Sequence, residues 1–286
     1  MGRVCAAKRQ HHIKSRLIPI SGRYWANTDD LGCTHYVTSL GYHHCMRCFV
    51  VGDIHGCVTE LRYLIEGLPL KSGDRLVFLG DYVDRGPDSN GVVSYLLALQ
   101  KNSSYDFVFL KGNHEDMFLS YLGLPGQHGN MFLFNGGKVT LESYGFSTST
   151  TANELLAHIP SPHLDFYRNL KNYYVIEPFL CVHAGIHPLK PLEDQTESEM
   201  LWIRNQFIYQ SHILPYVVLF GHTPQNDVFY NLPYKIGLDT GLVYGNKLTC
   251  LETQEKVLYQ INRGKKQVKQ IPIQTKWDTM SAALMP

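Results

Sequence analysis

Apolar runs of strand length recur along the chain from residue 47 onward. They read RCFVVG, DRLVFLG, YDFVFLKG, FLCVHAG and YVVLFGH, at residues 47–52, 74–80, 105–112, 179–185 and 216–222. Each run is nearly continuous in apolar residues and ends at a glycine or a polar cluster. This pattern is typical of strands that are buried on both faces of a sheet.

Helical patterns separate the first three of these runs. In VTELRYLIEGLPL the apolar residues from Leu61 to Leu68 follow helical spacing and form one stripe, and SNGVVSYLLALQK repeats the pattern. Strand, helix and strand alternate in units of about 30 residues, which predicts parallel βαβ crossovers. After residue 225 the segments VFYNLPYKIGLDTG, KLTCLE and KVLYQI predict consecutive strands joined by tight turns. The fold class predicted from these patterns is α/β.

The patterning divides the chain into three segments. Residues 1–45 show no clear periodicity, residues 46–262 carry the strands and helices, and residues 263–286 form a basic and weakly patterned tail. We expect the central segment to be the functional domain and the tail to be peripheral.

Composition narrows the class of protein. The 286 residues are 44% hydrophobic and 18% charged, with a formal net charge of +1, which is ordinary for a globular protein and gives no nucleic-acid footprint. The sequence contains no run of eighteen apolar residues, so it predicts no membrane span. Its N-terminal residues include no long apolar segment of the kind found in secretory signal peptides. Seven cysteines without framework spacing favour a reducing compartment. We therefore expect a cytoplasmic protein without nucleic-acid or membrane partners; its oligomeric state stays open.

Five predicted strand ends each carry polar residues beside a glycine. Any one of them alone is typical of a turn or a helix cap. Ligands bind at the carboxyl ends of strands in open α/β sheets, so five together favour a functional site. The residues are Asp53 and His55; Asp81, Asp84 and Arg85; Asn113, His114 and Glu115; His183; and His222. For Glu115 and the next residue, Asp116, we expect favourable interaction with a helix N-terminus instead.

The chemistry of this set points to divalent metal ions. Imidazole, carboxylate and amide groups suit manganese, iron or zinc, and the lack of cysteine argues against a closed structural zinc site. Three histidines, two or three carboxylates and one amide give at least six ligands, which is more than one four-coordinate ion needs. Two ions that share a carboxylate fit better, and such a pair activates hydroxide for in-line displacement at phosphorus.

A second possible metal site lies just upstream, in the stretch HHCMRC. It offers His43, His44, Cys45 and Cys48. A closed zinc site needs four ligands, commonly from two such pairs, and no matching CxxC occurs elsewhere in the chain. Cys48 also falls within a predicted strand, where a small buried residue is expected. We therefore do not predict zinc there.

The motifs GDIHG, GDYVDRG, GNHE, VHAG and FGH, in this order, resemble the calcineurin-like metallophosphoesterases. More narrowly they are similar to the phosphoprotein (Ser/Thr) phosphatase family in its bacterial and phage-lambda-like branch. The resemblance covers about residues 47 to 262. It implies a β-sandwich of two mixed sheets flanked by helices, with the active site at the C-terminal ends of the strands.

The resemblance also implies roles for individual residues. The first metal would be held by Asp53, His55 and Asp81, and the second by the bridging Asp81 with Asn113, His183 and His222. His114 would protonate the leaving alkoxide and Asp84 would orient it, while phosphate would be bound by Arg85, Asn113 and Arg204. The two ions are expected to be manganese, with iron or zinc as alternatives.

Two substrate classes fit the motifs. The first interpretation is a phosphatase acting on phosphoserine, phosphothreonine and also phosphotyrosine in a phosphoprotein or phosphopeptide. The alternative is a symmetrical diadenosine tetraphosphate hydrolase, acting on a dinucleoside polyphosphate. Asp84 precedes Arg85, as in the protein phosphatases, and this favours the first interpretation.

Two further hypotheses concern segments outside the motifs. MRCFVVGDIHG resembles the natural start of a phosphatase of this branch, so residues 1–45 are expected to be dispensable and Met46 to be the first functional residue. Phe132, Phe134 and Tyr144 lie in the connection from 117 to 172. They are candidates for substrate contacts, although packing is the expected role for most of them.

Overall fold

The computed structural model describes residues 18–21, 24–28, 34–38, 41–42 and 47–282. The chain divides into two compact units, residues 1–46 and 47–286. In the first unit four strands form an antiparallel sheet in sequential order: β1 (Ile18–Ser21), β2 (Tyr24–Thr28), β3 (Thr34–Thr38) and β4 (Gly41–Tyr42). The sequence did not predict these strands, because they are short and their polar and apolar residues do not alternate. That this unit is dispensable stays a prediction.

The described residues of the second unit form eleven strands and nine helices. The strands are β5 (Cys48–Val51), β6 (Arg75–Phe78), β7 (Asp106–Phe109), β8 (Tyr173–Ile176), β9 (Phe179–Val182), β10 (Val217–Phe220), β11 (Phe229–Asn231), β12 (Lys235–Gly237), β13 (Lys247–Glu252), β14 (Val257–Asn262) and β15 (Val268–Pro272). The helices are α1 (Val58–Gly67), α2 (Ser89–Asn102), α3 (Asn113–Tyr121), α4 (Gly137–Ser143), α5 (Ala152–His158), α6 (Ser161–Arg168), α7 (Glu197–Trp202), α8 (Asn205–Tyr209) and α9 (Gln274–Ala282).

Two mixed sheets contain these strands. The six-stranded sheet has the order β15-β14-β13-β5-β6-β7, and the five-stranded sheet has the order β11-β12-β10-β9-β8. β5, β6 and β7 are parallel and are joined through α1 and α2, as the alternating pattern predicted. In the second sheet β9, β10 and β12 are parallel, while β8 and β11 run antiparallel at its edges.

Successive side chains of the central strands point to opposite faces of the sheet and belong to two different parts of the core. On β5, Cys48 and Val50 belong to a buried cluster with Cys181 and Leu219 of the second sheet, whereas Phe49 packs among residues of the covering helices. The two sheets thus pack face to face, and helices cover their outer faces. The predicted α/β sandwich of two mixed sheets is confirmed.

Both ends of the domain bear on predictions made from the sequence. The segment after residue 262 is not merely a peripheral tail, because β15 pairs with β14 and Ile273 is buried. Trp277 also packs edge-on against Phe179, with ring centroids 5.9 Å apart. At the other end, His43, His44 and Cys45 lie outside the described residues, while Cys48 is fully buried. No helix in the described ranges is long and apolar enough to cross a membrane.

Candidate metal centre

Asp81 lies at the centre of the predicted ligand set. Its Oδ2 is 3.4 Å from Nε2 of His55, and its Oδ1 is 3.4 Å from Nε2 of His183. Two groups of possible ligand atoms therefore share this carboxylate: Asp81 with His55 and the predicted acid His114 form one, and Asp81 with His183 and His222 form the other. Within each group the candidate ligand atoms all lie within 4.8 Å of one another. A shared carboxylate between two groups is the geometry that a pair of neighbouring cations requires.

Asn113 completes the second group. Its Oδ1 lies 3.0 Å from Nε2 of His183 and 2.9 Å from Nδ1 of His222. The residue opens α3, directly after β7 and Gly112, so the sequence places it at the same sheet edge as Asp81. The amide oxygen and two imidazole nitrogens converge on one point, as the ligands of a cation do.

Asp53 joins the cluster from the end of β5. Its Oδ2 accepts the backbone N–H of His222 at 2.9 Å, whereas its buried Oδ1 has no hydrogen-bond partner among the described residues. A buried oxygen without a partner is costly, and a cation satisfies it. The approach also requires glycine at position 221, where a Cβ would lie 2.0 Å from Oδ1 of Asp53. The donor set therefore fits divalent cations.

Backbone carbonyls orient two of the histidines. Nδ1 of His55 lies 2.7 Å from the carbonyl oxygen of Val83, and Nδ1 of His183 lies 2.9 Å from that of Leu79. When Nδ1 donates to a carbonyl, Nε2 carries a lone pair that can bind a metal ion; in His55 this lone pair faces Nη1 of Arg85 at 2.7 Å. This arrangement suits metal ligation by neutral imidazole.

Burial sets the protonation of the ligands. It lowers the pKa of His55 to about 3 and also lowers the pKa of His183, so both imidazoles are neutral at neutral pH. Burial raises the pKa of Asp81, but the surrounding histidines lower it more, and the net shift is downward. Neutral imidazoles around an ionised carboxylate are the ligand states that a divalent metal needs.

Backbone strain is concentrated at this centre. Among the described residues, seven other than glycine have positive φ, and five of these belong to the predicted site: His55, Asp81, Asp84, Arg85 and His222. Such conformations each cost free energy and persist only where neighbouring contacts hold them.

Glu115 supplies those contacts for the loop after β6. Its carboxylate accepts the backbone N–H groups of Asp81 (2.9 Å), Tyr82 (2.8 Å) and Val83 (3.2 Å), and also that of Gly112 (2.9 Å). Interaction with its own helix N-terminus, the role that the sequence suggested, is thus one part of its function. The carboxylate also fixes the strained segment that carries Asp81 and the carbonyl partner of His55.

The predicted acid and its partner form a buried pair. Nδ1 of His114 lies 2.6 Å from Oδ2 of Asp84, and the hydroxyl of Thr140 donates to Oδ1 of Asp84 at 2.6 Å. Burial lowers the pKa of His114, but Asp81 and Asp84 raise it more, so the net shift favours the protonated imidazole. Thr140 comes from α4, and no sequence signal linked it to this site.

Two arginines border the cluster. Nη1 of Arg85 lies 2.7 Å from Nε2 of His55, and the backbone N–H of Arg85 donates to the carbonyl of Gly136 at 3.3 Å. Arg204 is exposed at the N-cap of α8, and its Nη1 lies 3.4 Å from Oγ1 of Thr223, which follows His222. One guanidinium group thus lies beside His55 and the other beside the residue after His222, where each can bind phosphate oxygens.

Asp239 is a buried member of the site that the sequence analysis did not single out. It follows β12, and its Oδ1 accepts the N–H of Gly241 at 3.0 Å. Burial raises its pKa to about 6, and its carboxylate contributes to the raised pKa of Asp53. The signal was present, because LDTG is another aspartate at a strand end.

The three aromatic residues considered as candidates for substrate contacts differ in their burial. Phe132 is fully buried against Phe118, and the hydroxyl of Tyr144 is bonded to His163 and Tyr167, so both serve packing. Phe134 is 91% exposed and borders a groove of about 600 Å³.

Comparison with known proteins places this chain in a family. The sequence profile of the calcineurin-like phosphoesterases matches residues 46–250. The chain belongs to that family. As a calcineurin-like phosphoesterase it is a phosphoester hydrolase, and its buried histidine and aspartate groups can bind a metal.

Curated relatives of this phosphoesterase carry a consistent name. It is 29% identical over 247 residues to the asymmetrical bis(5'-nucleosyl)-tetraphosphatase PrpE of Oceanobacillus iheyensis, a match that covers 74% of this chain and 90% of that protein. It is 26% identical over 239 residues to the protein of the same name from Bacillus thuringiensis strain Al Hakam, covering 73% and 92% of the two chains.

Solved structures of the same fold include two functional classes. A crystal structure assigned to a diadenosine tetraphosphatase is 25% identical, with a TM-score of 0.59, and the match covers 77% of this chain and 95% of that one. A cold-active protein tyrosine phosphatase is 17% identical, with a TM-score of 0.56, over 90% of this chain and 96% of that one. At that identity the second likeness concerns the fold alone.

Proposed function

We propose that this phosphoesterase hydrolyses dinucleoside polyphosphates, with diadenosine tetraphosphate as the representative substrate. The observation that carries the proposal is the similarity, at 26% and 29% identity over about three quarters of the chain, to proteins named as asymmetrical bis(5'-nucleosyl)-tetraphosphatases. The sequence motifs favoured a protein phosphatase and gave a dinucleoside polyphosphate hydrolase as the alternative, so the proposal reverses that preference. It also replaces the symmetrical cleavage of that alternative with asymmetrical cleavage.

The proposed reaction divides the four phosphates into one and three. Water adds to the phosphorus next to one adenosine, and the bond from that phosphorus to the bridging oxygen breaks. The products are AMP and ATP, and the protons of the water pass to solvent and product phosphate. Two divalent ions, for which we propose manganese with iron or zinc as alternatives, would polarise the phosphate and lower the pKa of the attacking water.

The proposed ligands of those ions are the residues that the sequence motifs predicted. Asp53 and His55 would hold one ion, Asp81 would bridge, and the remaining ion would be held by Asn113, His183 and His222. Arg85 beside His55 and Arg204 beside Thr223 would bind the polyanionic chain. Planar guanidinium groups match phosphate oxygens in bidentate fashion.

The leaving group decides how much His114 contributes. In a dinucleoside polyphosphate the leaving oxygen belongs to a phosphate, whose second pKa of about 6 makes protonation less demanding. In a phosphoserine the leaving group is an alkoxide, which needs a proton in the transition state. The buried pair of His114 and Asp84, 2.6 Å apart, is therefore the observation that favours the second candidate, a phosphoprotein phosphatase.

The position of Asp84 explains why the sequence criterion was weak. Its side chain is fully buried and is hydrogen-bonded to His114 and Thr140, so a substrate cannot contact it. It can orient and polarise the acid, but it cannot recognise what is attached to the phosphate. Asp84 thus bears on the proton demand of the leaving group and does not read the rest of the substrate.

Product analysis tests the proposal. The purified chain is loaded with manganese and incubated with diadenosine tetraphosphate, and nucleotides are resolved by chromatography, with Asp53→Asn as the inactive control. The proposal predicts AMP and ATP in equal amounts from the wild type and none from the variant. Equal turnover in Asp53→Asn would refute the metal centre, and ADP as the product would refute asymmetrical cleavage.

A further inference from the structure

A large exposed aromatic side chain lies directly beside the candidate phosphate clamp. Tyr244 is 62% exposed, and the guanidinium carbon of Arg85 is 5.7 Å from the centroid of its ring. The guanidinium approaches the ring at cation–π distance. Much of the ring remains open to solvent beside the metal centre.

The turn that carries Tyr244 is held in place. Gly241 and Gly245 flank the turn with positive φ of 67° and 92°, and the N–H of Tyr244 donates to the carbonyl of Gly241 at 3.0 Å. Buried Asp239 accepts the N–H of Gly241, and Leu242 is buried beneath the turn. The ring is therefore presented from a fixed backbone, and binding on it costs little ordering entropy.

We propose that Tyr244 is the stacking platform for the nucleoside base next to the cleaved phosphate, an inference that rests on the proposed function. An aromatic ring with an open face binds any nucleobase by stacking, whatever its hydrogen-bonding edge. Because the ring contacts Arg85, it serves the nucleoside whose own phosphate that arginine holds. This places the scissile bond one phosphate from a nucleoside and accounts for asymmetrical cleavage.

A purely structural role for Tyr244 makes a different prediction. If the ring only oriented Arg85, its removal would weaken binding of every phosphate ester to the same degree. If it stacks a base, the loss falls on substrates that carry a nucleoside. The ratio of kcat/KM for a nucleotide substrate to that for glycerol 2-phosphate, which has no aromatic ring, separates the two roles.

The test compares Tyr244→Ala and Tyr244→Trp with the wild type, all loaded with manganese. We expect Tyr244→Ala to lower the kcat/KM ratio of diadenosine tetraphosphate to glycerol 2-phosphate by about tenfold, chiefly through KM, and Tyr244→Trp to restore it. Calorimetry should show a similar loss of AMP affinity. Tyr95→Ala is the matched control, because Tyr95 also lies beside an arginine, Arg62, at 4.7 Å but on the outer helices.

Each outcome decides the inference. An equal loss on both substrates, or AMP affinity unchanged in Tyr244→Ala, would overturn the stacking role while leaving the proposed function intact. A wild type that hydrolyses glycerol 2-phosphate but not diadenosine tetraphosphate would overturn the proposed function and this inference with it.

Discussion

Replacing Glu115 by glutamine should loosen the loop that carries the bridging aspartate. The carboxylate of Glu115 accepts four backbone N–H groups, three of them from the strained segment of Asp81, Tyr82 and Val83. Burial and the nearby Asp81 raise the pKa of Glu115, whereas the donors from Gly112 and Tyr82 favour its ionised form. Glutamine keeps the shape of the side chain but offers only one acceptor oxygen.

The size of the effect follows from the hydrogen bonds. Two N–H groups bond to each oxygen of Glu115, so whichever way the amide lies, two buried donors lose their acceptor. Each unsatisfied buried donor costs about 1–3 kcal/mol, which gives a loss of about 2–6 kcal/mol in the free energy of unfolding. Displacement of Asp81 should also weaken manganese binding, by about 10- to 100-fold.

Urea denaturation of the metal-free protein and calorimetric titration with manganese measure the two effects. Glu154→Gln is the control, since Glu154 also accepts the N–H of its helix N-cap, Thr151, at 2.8 Å, but it is exposed and far from any predicted ligand in sequence. If Glu115→Gln unfolds within about 0.5 kcal/mol of the wild type and binds manganese equally well, the reasoning fails.

Three other changes test separate parts of the site. His114→Asn should slow hydrolysis of phenyl phosphate more than that of p-nitrophenyl phosphate, because phenoxide needs the proton more; equal losses would contradict an acid role. Thr140→Val removes a donor to Asp84 and should lower kcat about tenfold with a lower melting temperature, whereas unchanged kcat would dismiss this contact. A chain starting at Met46 should be folded and fully active, and loss of activity or solubility would show that residues 1–45 are needed.

The clustering of the candidate ligands was predictable because it follows from strand topology. β5, β6 and β7 are parallel, so the residues after them must meet at one edge, and short motifs directly after each strand supply the ligands. Asp53, Asp81 and Asn113 could therefore be assigned to one site from their positions alone. The same reasoning applies to His183 and His222, which follow the parallel strands β9 and β10.

The supporting contacts were not predictable in this way. Thr140 is 56 residues from Asp84 in sequence, and Glu115 is more than 30 residues from the N–H groups of Asp81 and Tyr82 that it binds. Such pairs depend on how helices pack against the loops, and no local periodicity records that. The motif around Asp84 could not indicate the substrate class either, because the Asp84 carboxylate is buried and contacts His114 and Thr140.

The substrate preference of the chain is measured as the ratio of its activities on two substrates. The manganese-loaded chain is assayed under identical conditions with diadenosine tetraphosphate and with a phosphoserine peptide. We predict that kcat/KM is at least about tenfold higher for the dinucleotide, equivalent to about 1.4 kcal/mol of transition-state stabilisation. A higher kcat/KM for the phosphopeptide would contradict the account and identify the protein as a phosphoprotein phosphatase.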